Sequence, residues 1–171
     1  MKKLSVIALA VLFSSSAAYA LDVASTFNVS VAFTGACSVK TAATDLAFTY
    51  AAFGAADTKS TTTVFQCSRG LAPTFRFDDT DAARTAAAAG VALGTSIRGE
   101  GVIEGVRYTL TGSSSQSATG TGASAGAGGV GGSNGTADEY TVGITAAVAA
   151  GQAGTGSGAT TAHVRTLYIS Y

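Results

Sequence analysis

Tryptophan is absent from this chain, proline and histidine occur once each, and charged residues fill only 12% of its 171 positions. The charges form no basic cluster, which argues against nucleic acid or an anionic membrane surface as partner. The two cysteines, Cys37 and Cys67, lack a C-x-x-C spacing and have no histidine beside them, so a metal or redox pair is not indicated. No nucleophile elbow, H-E-x-x-H motif or carboxylate pair on a recognisable scaffold is present. The chain is therefore not expected to be an enzyme, and no cofactor or metal is expected. No stretch has a convincing helical period, and no stretch beyond the N-terminus is long and apolar enough to span a bilayer.

What is present begins with an export signal. Lys2 and Lys3 precede an apolar run from Leu4 to Phe13 and a small-residue end, Ala18-Tyr19-Ala20, that fits an A-x-A cleavage site. Residues 1–20 are set aside as a signal peptide, with Leu21 as the expected mature start and no membrane span in the mature form. Without Lys2 and Lys3, eight basic residues face ten acidic ones, a formal charge of −2. About 150 residues make one domain with a sizeable core. In an exported chain an even pair of cysteines reads as one disulfide, Cys37 to Cys67. Closing that loop stabilises by roughly 3 to 4 kcal/mol on the chain-entropy model.

The stretch that organises the rest is Thr26 to Cys37, TFNVSVAFTGAC. Phe27, Val29, Val31 and Phe33 recur at every second position, which predicts a β-strand with one large apolar face. Burying four such side chains contributes on the order of 6 to 12 kcal/mol, comparable with the whole stability of a small domain. A strand of this kind needs a groove, and whose groove it fills is the functional question.

Further strands are expected where alternation and β-branched or aromatic residues recur: Leu46 to Tyr50, Thr61 to Cys67, Thr74 to Phe77, Gly105 to Thr111, Tyr140 to Ala146 and Ala162 to Tyr171. Thr34 to Cys37 reads as a turn. The alanine-rich Ala82 to Leu93 has no amphipathic period and reads as a loop. Gly112 to Gly135 contains no charge and reads as a long flexible loop between two strands. Short strands joined by Gly-rich turns point to an antiparallel β-sandwich of six or seven core strands. The last strand leaves an open edge of a kind that proteins normally protect.

Four short motifs fall to simpler readings. Gly126, Gly128 and Gly131 match G-x-G-x-x-G, yet the motif sits in a low-complexity loop without the strand, helix and acidic residue that dinucleotide binding needs. Asp78, Asp79 and Asp81 lack the glycine and distal glutamate of a calcium loop and read as a solvated strand end. His163 has no nucleophile or ligand at motif spacing and is expected as an exposed residue leading into the last strand. Asn28 and Asn134 satisfy N-x-[ST]; Asn134, in the loop, is the more suitable acceptor.

An alternating apolar strand behind an export signal is followed by Thr34-Gly35-Ala36-Cys37, Leu46-Ala47-Phe48 with Phe53-Gly54, a second cysteine in TTTVFQC, and a closing LYISY. In these features the chain resembles the spore coat protein U family, the subunits of archaic chaperone-usher pili, over Thr26 to Tyr171. The resemblance implies an all-β fold: an incomplete immunoglobulin-like antiparallel β-sandwich lacking its last strand, residues 37–171, preceded by a donor strand at 21–36. It implies that Phe27, Val29, Val31 and Phe33 are donor side chains. Leu167, Ile169 and Tyr171 would lie at the edge of the acceptor groove. The Gly-rich insert at 112–135 and Ala86 to Ala89 depart from the family's pattern.

The expected function is a structural subunit of an extracellular pilus or fimbria serving adhesion and biofilm. It would be exported through the periplasm and polymerise head to tail by donor-strand complementation, a form of β-augmentation. Its expected partners are identical or related pilin subunits, a periplasmic chaperone and an outer-membrane usher. The alternative is a self-complemented secreted β-sandwich that binds a surface or coat component. Its strand would have to cross the sandwich within Thr34 to Cys37, roughly 14 Å at most. A small exported hydrolase, the third reading, lacks a catalytic constellation.

Overall fold

Alternation with a period of two sets the architecture, and it carries further than the composition suggests. The computed structural model describes residues 25–78, 90–126, 131–156, 158 and 161–171. Residues up to Phe33 and residues from Thr34 onward form two separate units. Among its described residues the second unit holds eight strands: β1 (Cys37–Thr41), β2 (Asp57–Cys67), β3 (Thr74–Phe77), β4 (Val91–Ala92), β5 (Ile97–Ile103), β6 (Val106–Ala118), β7 (Asp138–Val148) and β8 (Leu167–Ser170). No helix occurs among the described residues. The strands form two antiparallel sheets, ordered β1-β2-β7-β6-β5 and β4-β3-β8.

The central strand β7 shows the cause most plainly. Every second residue from Asp138 to Val148 is buried and the residues between are half exposed, so one face packs and the other meets water. Phe65 and Cys67 of β2, Tyr108 and Leu110 of β6, and Tyr140, Val142, Ile144 and Val148 of β7 join Phe75 and Phe77 of the smaller sheet in one core. Phe75 lies with its ring centroid 6.2 Å from Phe65 and 6.4 Å from Tyr140, so the two sheets share aromatic contacts. The Cys37–Cys67 disulfide joins cross-strand partners of β1 and β2.

Several sequence expectations change. Leu46, Phe48 and Tyr50 keep their alternation and pack against the core, but among the described residues this segment has no partner strand and is not part of a sheet. Residues 112–118, expected within a loop, extend β6 and pair with β7 from Gly112↔Ile144 to Ala118↔Glu139. Their small side chains are sufficient because Gly112 approaches the core closely: a Cβ there would come within 3.0 Å of Ile97. β5, β1 and the two-residue β4, which lies inside the expected loop Ala82 to Leu93, escaped the sequence reading. β5 carries Gly99 and Gly101, and the second is required because a Cβ at 101 would collide with the Tyr108 phenol. β1 follows directly on the expected turn at Thr34 to Cys37. The last strand is shorter than expected, Leu167–Ser170, and Ala82 to Ala89 lie outside the described residues.

The topology gives the second unit two distinct ends. β2 runs from Asp57, opposite Val148, to Cys67, opposite Asp138. Ala36 and Ser68 are bonded to each other at the disulfide end, through Ser68 N–H to Ala36 O at 2.8 Å and Ala36 N–H to Ser68 Oγ at 2.9 Å. A short connection, 68–73, leads from there to Thr74, which pairs with Ser170. β8 therefore starts at the far end and finishes at the disulfide end.

Candidate functional site: an unprotected sheet edge

Each sheet has two edge strands, and three of the four edges are guarded against stray pairing. β1 carries Lys40, which bonds to Glu139; β5 carries Arg98 and Glu100; β4 is two residues long. β8 reads Leu167-Tyr168-Ile169-Ser170, with no charge, no proline and no shift of register against β3. Among the described residues it is the edge without a guard.

The register shows what this edge presents. Asp78 N–H donates to Thr166 O at 2.8 Å, so positions 78 and 166 form a hydrogen-bonded pair of the antiparallel ladder. Alternation makes Arg76–Tyr168 and Thr74–Ser170 the next such pairs. The N–H and C=O groups of Leu167 and Ile169 consequently point away from β3, on the side where β8 has no strand neighbour among the described residues. The same two residues turn their side chains to the core and are only half buried. Tyr168 faces outward, its ring 4.1 Å from the Arg76 guanidinium carbon. Tyr171, beyond the strand, is 59% exposed.

A polar brace holds the start of β8. Arg165 Nε donates to Asp78 Oδ1 at 2.9 Å, its Nη2 to Asp78 O at 2.7 Å, and its Nη1 to Glu100 O at 2.7 Å and Tyr108 Oη at 3.1 Å. Tyr108 Oη also lies 2.8 Å from His163 Nδ1, and the two rings meet edge to face. His163 is thus half buried in a hydrogen-bonded cluster, not the exposed residue the sequence suggested. Burial disfavours the charge of Arg165, yet its bonds to Tyr108 and Asp78 together hold the guanidinium above its ordinary value. Sequence reading missed this brace because its members come from β5, β6 and segments flanking β3 and β8, with no shared local motif.

At the disulfide end Asp138 caps two loops. Its Oδ1 accepts from Gly120 N–H at 2.6 Å and its Oδ2 from Gly70 N–H at 2.8 Å. These bonds, Gly120 first, pull its carboxyl below the ordinary value against the opposing effect of burial, with Arg69 adding to the pull. Among the described residues no group of three or more His, Cys, Asp or Glu could hold a metal ion. Asp79 and Asp81 lie outside the described residues, as does most of the 126–131 glycine motif.

The remaining sequence candidates belong to the first unit. Phe27, Val29, Val31 and Phe33 are 85%, 80%, 84% and 80% exposed and lie outside any strand. A strand needs a hydrogen-bonded partner as well as a pattern, and none is assigned to this segment among the described residues. Large apolar side chains exposed in an unbroken alternating row are a mark of an interaction segment. Residues 1–24, which include the expected signal peptide, lie outside the described residues. No family model, curated protein or solved structure matches the chain.

Proposed function

We propose that this chain is a structural subunit of an extracellular pilus, built as an immunoglobulin-like sandwich without its last strand and completed by residues 21–36 of the next copy. The observation that carries the reading is a pair of complementary deficits in one sequence. β8 offers an unguarded row of backbone groups above half-buried Leu167 and Ile169, while Phe27, Val29, Val31 and Phe33 offer an exposed alternating apolar row. A strand laid on β8 gains main-chain hydrogen bonds and side-chain pockets together.

Strand order supports the same reading. β1-β2-β7-β6 follows the A-B-E-D order of an immunoglobulin sandwich and β3-β8 its C-F pair. The place of the G strand, beside β8, is unfilled among the described residues. Leu46, Phe48 and Tyr50 pack on the same core without a strand partner, so a second unpaired segment borders it. A heterologous contact that does not close produces a filament. During export the groove requires temporary cover, the task of a periplasmic chaperone, and an outer-membrane usher would exchange that cover for the donor segment.

Direction follows from the two ends of the unit. The segment Thr34 to Ala36 leaves at the disulfide end, where Ala36 is bonded to Ser68. If Phe33 docked at the disulfide end of its acceptor, two disulfide ends would face each other and a third copy would find that place taken. Growth therefore requires Phe33 at the far end of the acceptor, with the donor antiparallel to β8. Deleting residues 21–33 is expected to leave a chaperone-bound subunit that forms no filament. Appending that segment after Tyr171 through a short linker is expected to give a stable monomer. A stable chaperone-free monomer from the deletion alone contradicts the reading and favours a complete secreted sandwich.

A further inference from the structure

Phe53 occupies a backbone conformation that aromatic residues seldom adopt. Its φ is 59°, in the left-handed region where a side chain is strained, and such strain persists only where the surroundings impose it. Here they do. Phe53 N–H donates to Gln152 O at 2.8 Å, Gly54 N–H to Ala51 O at 2.9 Å and Gly151 N–H to Gly54 O at 3.0 Å. Tyr50 Oη donates to Ala149 O at 2.9 Å and accepts from Gln152 N–H at 3.0 Å. The product of this clamp is a phenyl ring that is 74% exposed. A glycine or asparagine would serve the turn without strain, so the turn itself gives no reason for phenylalanine.

The position of the ring supplies one. Residues 51–54 precede Asp57 and residues 149–152 follow its partner Val148, so Phe53 stands at the far end of the unit. Gln152 Nε2 bonds to Arg107 O at 2.9 Å, next to Tyr108, which in turn holds Arg165 at the approach to β8. Under the donor-strand reading, on which this inference rests, the far end is where the donor's Phe33 finishes. Only Thr34, Gly35 and Ala36 then separate Phe33 from Cys37, a reach of at most about 14 Å. The body of the donating copy must therefore sit against the far end of the acceptor.

We propose that Phe53 is a contact between successive subunits: the clamp holds its ring out to pack against the disulfide end of the next copy of this chain, around Gly35, Arg69 and Leu71. An aromatic side chain on a backbone fixed before assembly gives contact area at the cost of only its own two torsions. The ring thus sets how two donor-linked bodies are oriented and stiffens a joint that otherwise has three residues of slack.

The test uses filaments of the full exported chain with a benzophenone amino acid in place of Phe53. Irradiation is expected to give covalent dimers and higher ladders, with the linked peptide mapping to residues 34–37 or 68–71 of the neighbour. Filaments that assemble but yield no interchain product, or link Phe53 loop to Phe53 loop, overturn the contact while leaving donor-strand assembly intact. Failure of the unmodified chain to form filaments overturns both. The Phe53→Asn variant keeps a residue suited to positive φ and is expected to assemble into filaments that dissociate at lower denaturant than the parent. Unchanged filament dissociation with this variant also overturns the proposal.

Discussion

Arg165 Nε lies 2.9 Å from Asp78 Oδ1, and the two side chains are only 13% and 10% exposed. The pair ties the approach to β8 to the end of β3, so the edge strand is anchored by charge at its start. Arg165→Ala leaves the Asp78 carboxylate without its cation and frees Tyr108 Oη and Glu100 O from the guanidinium. The expected cost is about 2 to 4 kcal/mol, toward the lower range for breaking a buried pair because some water still reaches it. Arg165→Lys restores the charge without the fork and is expected to recover less than half of the loss. Chemical denaturation of the self-complemented monomer measures both.

Acid should weaken the disulfide end. Gly120 and Gly70 N–H groups hold the Asp138 carboxyl below its ordinary value of 3.8. The folded protein therefore binds that proton more weakly than the unfolded chain. The stabilisation is fully present above the ordinary value and is lost as pH falls through the depressed folded one. The denaturation midpoint is expected to drop as pH is lowered below about 4. Asp138→Asn is expected to be less stable at neutral pH and to show a flatter acid response. Equal pH slopes for the two proteins would remove Asp138 from the account.

The Gly-rich insert divides into two parts with opposite expectations. Thr121 and Thr136 bond across its base and Ser124 and Ser133 bond further out. Removing residues 123–134 and closing the gap with a two-residue turn is expected to change stability by less than about 1 kcal/mol, because closure entropy varies slowly with length. Removing 112–122 takes away half of β6 and its pairing with β7, and is expected to prevent folding. Thermal unfolding of the two deletions separates these outcomes.

That contrast shows where the sequence was legible. Thr74 to Phe77 and Tyr140 to Ala146 could be read because large apolar residues alternate with polar ones, and the structure places them on β3 and β7. Residues 112–118 have only Gly, Ser, Gln and Ala, whose burial depends on how closely Ile97 and Phe77 approach Gly112, a tertiary fact with no local signature. Leu46 to Tyr50 fails in the opposite way: the pattern is right and the partner strand is missing. The disulfide was legible from an even cysteine pair behind a stretch that reads as an export signal. Leu167 and Ile169 were legible as one apolar face. Phe53 carried no signal as a site, because its φ and its clamp depend on Tyr50, Gly151 and Gln152.

The most direct test of the central claim is the extent of polymerisation of two aspartate variants one position apart. Val31→Asp puts a charge on the apolar row of the donor segment, at a desolvation cost of several kcal/mol once docked; Ser30→Asp puts it on the opposite face. The account predicts that Val31→Asp subunits fold, are held by their chaperone and form no filaments, while Ser30→Asp subunits polymerise as the parent does. Filaments of normal length from Val31→Asp would contradict it.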